Sequence, residues 1–411
     1  MNDMTPPLPD GGPLAFNPLD PDFIADPYPF YHRLRETAPV YRTPMGFWLL
    51  TRYEDVAFAL RDKRFGKDFA GNLERRYGRN VMDEPAVANL ARTMLVLDPP
   101  DHTRLRGLVT KAFTARRVAD MRPRVRALVD EQLDRVADRG SMDVMRDLAH
   151  RLPVIVICDM LGIPEDHRAP FLAASNVNGR ILEPIPMTRE EMAQANAQAM
   201  AGNMYFDQLC ELRRRDPQDD LTTELVKAEE AGDRLSTEEL RANMALLFGA
   251  GHETTTNLIG NGLLALHRNP DQWQRLKDDP SLIANAIEEL LRYDSSVQLT
   301  GRVTMAEVEV GGVRLAAGES VIMLLGAANR DPAQYAEPDE LDVGRQNVRP
   351  MSFGGGIHHC LGAQLARLEA ELVFTALVER LPGIELPAKD NPEWKRSFTL
   401  RGLSKLPAVW H

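Results

Sequence analysis

Phe353-Gly354-Gly355-Gly356-Ile357-His358-His359-Cys360-Leu361-Gly362 sets one cysteine between a run of glycines and the positions Leu361, Leu365, Leu368 and Leu372, which recur at helical spacing. Glycine carries no Cβ, so such a run lets backbone lie closer under a flat ligand than bulkier residues allow. A sulfur at a helix N-terminus meets free N–H groups and the positive end of the dipole, which predicts a depressed thiol pKa and a lasting thiolate. A thiolate on such a loop suits a haem iron. Cys158, in the apolar run from Val154 to Leu161, and Cys210, in a helical pattern, are expected to be inert core residues.

The pattern Phe353-x-x-Gly356-x-His358-x-Cys360-x-Gly362 resembles the haem-ligand signature of the cytochrome P-450 family, the haem-thiolate monooxygenases. The resemblance implies haem b as cofactor, Cys360 as the axial ligand of its iron, and Phe353 and Gly354 in the loop beside it. Electron donation from that sulfur favours cleavage of the O–O bond of dioxygen. The resemblance runs from about Asp26 to the C-terminus and implies a mainly α fold, a triangular prism with a small β-rich region and a long central helix crossing over the haem.

The chain has 411 residues, of which 44% are hydrophobic, enough for a substantial core in one large domain or two ordinary ones. No repeat or long linker divides it, so a flexible Pro-rich leader at 1–25 and a single domain at 26–411 are expected. Forty-nine basic against sixty acidic residues give a net charge of −11, which argues against nucleic acid or an anionic membrane as a general partner. Three scattered cysteines make no disulfide framework, and the N-terminus lacks a cationic start followed by an apolar run. A cytoplasmic protein without a membrane anchor is expected.

Hydrophobic periodicity predicts helices over Tyr53 to Arg61, Thr103 to Phe113, Val118 to Ala137, Leu148 to Leu161, Arg189 to Arg213, Glu238 to His267, Leu282 to Tyr293 and Leu361 to Leu381. Val40 to Thr51 predicts two short strands around Pro44-Met45-Gly46, and Gly311-Gly312 a two-residue hairpin turn between Val308 and Leu315.

Ser236-Thr237-Glu238-Glu239 has the form of a capping box, and the helical pattern it opens runs for about 30 residues, or about 45 Å. Inside it, Gly249-Ala250-Gly251-His252-Glu253-Thr254-Thr255 spends two glycines at roughly 1 kcal/mol each. The Thr254 hydroxyl can bond the Ala250 carbonyl and loosen the ladder beside a ligand. This segment is similar to the family's A-G-x-[DE]-T pattern at Ala250, Gly251, Glu253 and Thr254. The resemblance implies that Ala250 lies against the haem and that Glu253 and Thr254 deliver protons to dioxygen. Thr255 is an understudy for Thr254, and His252 is expected on a helix face.

Two buried propionates require cations. His102 and Arg106 stand four apart on one predicted helical face. With Arg302 and His358 they match positions where related proteins contact propionates. Glu289-Leu290-Leu291-Arg292 resembles the family's E-x-x-R element, which implies a structural network behind the haem loop. Pro338-Asp339-Glu340-Leu341 lacks the usual third arginine, and Arg345 is the substitute candidate.

By fold resemblance the substrate pocket draws on Met82, Val87, Leu95, Ile181, Leu182, Leu247, Val297 and Gln298, which suit a small to medium apolar organic molecule. Core packing accounts for the same apolar residues equally well, and Gln298 orients a polar group or merely faces a backbone carbonyl. No dinucleotide, flavin or iron–sulfur motif is present, so electrons must come from outside. Arg104, Arg106, Lys111, Arg116 and Arg117 predict a docking patch for an acidic ferredoxin or flavodoxin, itself served by an NAD(P)H-dependent reductase. A monooxygenase that hydroxylates or epoxidises with dioxygen is the leading reading. A peroxide-driven hydroxylase and a haem-binding sensor without turnover are the rivals, and Glu253-Thr254 counts against the first of them.

Overall fold

The computed structural model describes residues 17–110, 113–173, 177–230 and 235–411. The predicted hairpin from Val40 to Thr51 forms as Val40–Arg42 against Trp48–Leu50, with Val40 opposite Leu50 and Arg42 opposite Trp48. It is one edge of a five-stranded sheet. Trp48–Leu50 pairs in parallel with Ser320–Leu324, which pairs antiparallel with Leu299–Thr304, and that strand ends the sheet against Phe65–Gly66. Val308–Val310 and Val313–Leu315 form the expected hairpin, with Gly311 and Gly312 at φ +55° and +78°, where side chains are rarely tolerated.

The rest is mostly helical. Tyr53–Arg61 is a helix with the predicted limits, and Asp101–Thr110, Arg189–Arg215, Ile283–Tyr293 and Ala363–Arg380 lie within about two residues of theirs at the described ends. Two predicted helices are broken. Val118 to Ala137 divides into Ala115–Asp120 and Arg122–Ala137, because Pro123 has no N–H to give the carbonyl of Ala119. Leu148 to Leu161 becomes a wide turn, Met145–Ala149, followed by the helix Arg151–Leu161, with Pro153 removing the bond to Ala149.

The longest helix, Thr237–Arg268, spans 32 residues. Its start is held by the predicted capping box: Glu239 N–H donates to Ser236 Oγ at 3.2 Å, and Ser236 N–H donates to Glu239 Oε2 at 3.0 Å. Its C-terminal half, Leu258 to Leu266, is buried on every face, so its helix is fixed by packing against Arg151–Leu161, Ile283–Tyr293 and Ala363–Arg380. Among the described residues no helix is long and apolar enough to cross a membrane.

The N-terminal segment departs from the expected leader. Asp20 caps a helical turn at Pro21–Ala25, and Phe23 meets Phe30, Tyr31 and Phe398 edge to face at 5.5–5.8 Å. Arg401 binds the carbonyls of Ile24 and Ala25. Residues 17–25 therefore pack on the body, while 1–16 lie outside the described residues.

Candidate functional site

The cysteine loop is built from its glycines and from the elements behind it. Gly356 stands at φ +63°, and a Cβ there would meet the Leu60 carbonyl at 2.1 Å. Its bareness thus lets the loop seat on the end of the Tyr53–Arg61 helix, a packing reason that sequence could not supply. Cys360 N–H donates to the Phe353 carbonyl at 2.9 Å and closes the loop, while the Arg367 guanidinium lies over the Phe353 ring at 4.5 Å.

Cys360 is solvent-accessible yet deep within the protein mass. Its helix starts at Ala363 with Gly362 as the cap, three residues on, where Leu361 was expected to open it. Burial pushes the thiol pKa up, and the Gly362 N–H and the charges of Arg106 and Arg367 only partly offset it. Against the predicted depression at a helix end, desolvation is the largest influence on this sulfur, ahead of the Gly362 N–H and the two arginines. Cys158 and Cys210 are buried and inert, both pushed up to about 12 by burial.

Behind the loop, Glu289 and Arg292 are fully buried. Arg292 Nε and Nη2 donate to both Glu289 oxygens at 2.7 and 2.8 Å, and its remaining protons reach the carbonyls of Asn329, Pro338 and Glu340. Arg345 completes the network as expected, Nε donating to Glu289 Oε1 at 3.0 Å. Asn329, Ser295 and Ser352 extend it: Met351 N–H donates to Asn329 Oδ1 at 2.6 Å, and the Asn329 amide reaches both hydroxyls. The ion pair thereby fixes the segment that enters the cysteine loop. Glu289→Gln leaves two arginines short of a buried charge and is expected to cost about 3–5 kcal/mol, read as a lower urea midpoint with unchanged slope.

On one side of the loop the structure gathers the predicted cations. The His102 and His358 rings meet at 4.3 Å between centroids, tilted by 55°, and Arg106 Nη2 donates to the His359 carbonyl at 2.6 Å. Arg302 is buried, its pKa lowered to about 10 by desolvation, and burial with surrounding positive charge drives His358 to about 2. Both ring nitrogens of His102 and Nε2 of His358 are buried without a hydrogen-bond partner. Buried donors and cations in such excess call for an anion. A haem with two carboxylates and an iron for the thiolate fits this donor set.

The long helix carries the second group. Thr254 Oγ1 donates to the Ala250 carbonyl at 3.2 Å, as predicted, whereas Thr255 is only 3% exposed. Glu253 meets Lys395 Nζ at 3.3 Å, and the same ammonium donates to Asn257 Oδ1 at 3.1 Å. His252 is buried, bonded to the Phe248 carbonyl and packed on His150, so it occupies the helix face expected of it.

The proposed lining residues divide. Val87 and Ile181 are packed in a cluster with Leu73, Met187 and Met192, and Met82 borders it. Leu247 is in a core cluster, Val297 and Leu95 are half-buried, and Leu182 is 39% exposed. The Gln298 amide faces a backbone carbonyl: Nε2 donates to Ser295 O at 2.7 Å, while Oε1 accepts from Tyr31. Lys111, of the predicted docking patch, lies outside the described residues. Beside Leu182 in the chain, Glu183 is 2% exposed and accepts from the Ser397 hydroxyl and the Thr399 amide.

A cysteine loop braced by a buried Glu–Arg–Arg network, lying with a cation cluster in a mainly helical frame that carries an acid–alcohol pair on its longest helix, defines a haem-thiolate oxygenase. The cytochrome P-450 family model matches residues 6–401, and the chain belongs to that family. It is 40% identical over 400 residues to a 6-deoxyerythronolide B hydroxylase of Saccharopolyspora erythraea, covering 94% of this chain and 96% of the relative. It is 42% identical over 397 residues to a vitamin D(3) 25-hydroxylase of Pseudonocardia autotrophica, covering 94% of each. The crystal structure of CalO2 superposes with a TM-score of 0.89 at 36% identity, covering 97% of this chain and 99% of that one. The protein is thus a P-450 monooxygenase, with a haem-iron cofactor and an oxidisable small-molecule substrate.

Proposed function

We propose that residues 26–411 form a single catalytic domain that binds haem b through Cys360 and oxidises a small to medium apolar molecule, by hydroxylation or epoxidation, with electrons from a ferredoxin. The observation that carries this reading is the juxtaposition of Cys360 with two cations, Arg106 and Arg302, and two imidazoles, His102 and His358, whose buried ring nitrogens lack hydrogen-bond partners. Pairing of Pro407–Val409 with Ser141–Asp143 supports one domain. Haem supplies the oxygen-activating chemistry when bound. Cys360 would give its sulfur to the iron, with Phe353, Gly354 and Ala250 as the further residues that would hold the group. Arg106 and Arg302 would hold the propionates by charge, with His102 and His358 donating ring N–H groups.

Proton supply is the work of Thr254 and Glu253. The Thr254 hydroxyl donates to the Ala250 carbonyl and keeps its lone pairs for a proton-donating water. Glu253 is a carboxylate held by Lys395 at the edge of the site, and it hands protons inward from solvent. This pair favours dioxygen over hydrogen peroxide as the oxidant, because a dioxygen reaction must be fed protons. Met82, Leu95, Leu182 and Val297, which keep exposed surface, would supply apolar surface around the substrate, with Val87, Ile181 and Leu247 in the packed clusters behind them. The 6-deoxyerythronolide B hydroxylase and the vitamin D(3) 25-hydroxylase among the relatives support an organic substrate that is hydroxylated.

For the electron donor, Arg116 is 93% and Arg117 41% exposed, and both face acidic neighbours only at the surface. Arg104 is spent internally on Glu239 and Asp101, which removes it from the patch. A ferredoxin, or a flavodoxin in its place, docks through its acidic face on the remaining cations, with an NAD(P)H-dependent reductase behind it. The scattered free cysteines support a cytoplasmic location. Substrate-dependent NADPH consumption with ferredoxin and reductase tests the whole reading; turnover with peroxide alone favours the peroxide-driven alternative. Neutralising Arg116 and Arg117 together is expected to slow reduction several-fold at low salt and little at high salt. Salt-insensitive reduction by both proteins would sink the docking patch.

A further inference from the structure

Lys67 belongs to no motif and follows directly on the edge strand Phe65–Gly66. That strand pairs antiparallel with Leu299–Thr304, Phe65 opposite Thr304 and Gly66 opposite Val303, so the register delivers Lys67 beside Arg302 and Gly301. Lys67 Nζ donates to the Gly301 carbonyl at 3.3 Å, and Arg302 Nη1 donates to the same oxygen at 2.9 Å. One neutral acceptor thus serves two cations.

The local charge count makes this arrangement costly for the polypeptide alone. Desolvation and repulsion by Arg302 hold the Lys67 pKa well below its ordinary value, and Lys67 in turn depresses His102 and His358. The carboxylate of Asp98 opposes the effect on Lys67, Arg302 and His102, but its Oδ2 already accepts the backbone amides of Lys67 and Asp68 at 2.8 and 3.4 Å. Lys67, Arg302 and His102 therefore share the carboxylate of Asp98, and His358 lies within the field of Lys67, Arg302 and Arg106. The cluster falls into two groups, Lys67 with Arg302 at Gly301, and His102 with His358 and Arg106 near the cysteine loop.

We propose that Lys67 is a haem-binding residue whose ammonium, together with Arg302, takes one carboxylate of the cofactor, leaving the second to His102, Arg106 and His358. The proposal rests on the haem reading above. A tether role, in which Lys67 only ties its strand to Gly301, is the competing account, and it requires no contact with the cofactor.

Haem transfer from the purified holoprotein to apomyoglobin distinguishes them. Lys67→Met and the milder Lys67→Gln are expected to release haem about tenfold faster than wild type, the loss of one charge-assisted hydrogen bond. Lys67→Arg restores retention, and Lys63→Met, at an exposed neighbouring lysine, changes nothing. The propionate bending band in resonance Raman spectra shifts in Lys67→Met and Lys67→Gln but stays in place in Lys63→Met. Wild-type transfer rates and an unmoved band in the two Lys67 variants would overturn the proposal while leaving the haem reading intact. Wild-type protein that carries no haem would overturn that reading itself.

Discussion

Cys360→Ser is expected to abolish the red-shifted Soret band of the reduced carbon monoxide complex, and with it all monooxygenase turnover. The shift depends on a thiolate as axial donor, and a serine hydroxyl is a harder, far less acidic ligand. The surroundings sharpen the expectation. Burial raises the free thiol pKa here, and the charge of a metal held directly against the sulfur would lower it. A neutral serine meets the same desolvation and has less tendency to ionise. The loop itself is held from outside, by Gly356 against Leu60 and by Asn329 on Met351, so the variant should fold and bind haem. A variant retaining the red-shifted band would assign the axial ligand to another residue.

Thr254→Ala is expected to keep substrate binding and reduction while diverting electrons into hydrogen peroxide, with product per NADPH falling about tenfold or more as proton delivery fails. The hydroxyl sits on the carbonyl of Ala250, one turn back, and marks the place where the helix offers polar atoms to the site. Thr255, 3% exposed, is packed away from solvent, so Thr255→Ala should leave coupling nearly unchanged. Peroxide assay alongside NADPH consumption reads both variants. Full coupling in Thr254→Ala would transfer the role to Thr255 or to water alone.

Much of this was legible because its signals are local. The capping box at Ser236, the glycine turn at Gly311-Gly312 and the periodicity of Tyr53 to Arg61 each depend on neighbours within a few residues, and each formed as expected. The broken helices were legible too, in Pro123 and Pro153, but the longer apolar pattern masked the missing donors. Arg345 could be nominated only as a cation near the absent third arginine; its bond to Glu289 crosses 56 residues.

By itself the sequence determined the chemistry: a cysteine in its glycine loop, an acid–alcohol pair in a long capped helix, and a helical frame set by apolar spacing. Tertiary structure decided how charge is balanced around that chemistry. Burial raised the thiol instead of lowering it, strand register brought Lys67 to Arg302, Gln298 turned to a carbonyl, and Lys395 came to hold Glu253. The reason is physical: propensity and capping act over a turn or two of chain, whereas desolvation and Coulomb interaction depend on which distant segments exclude water together.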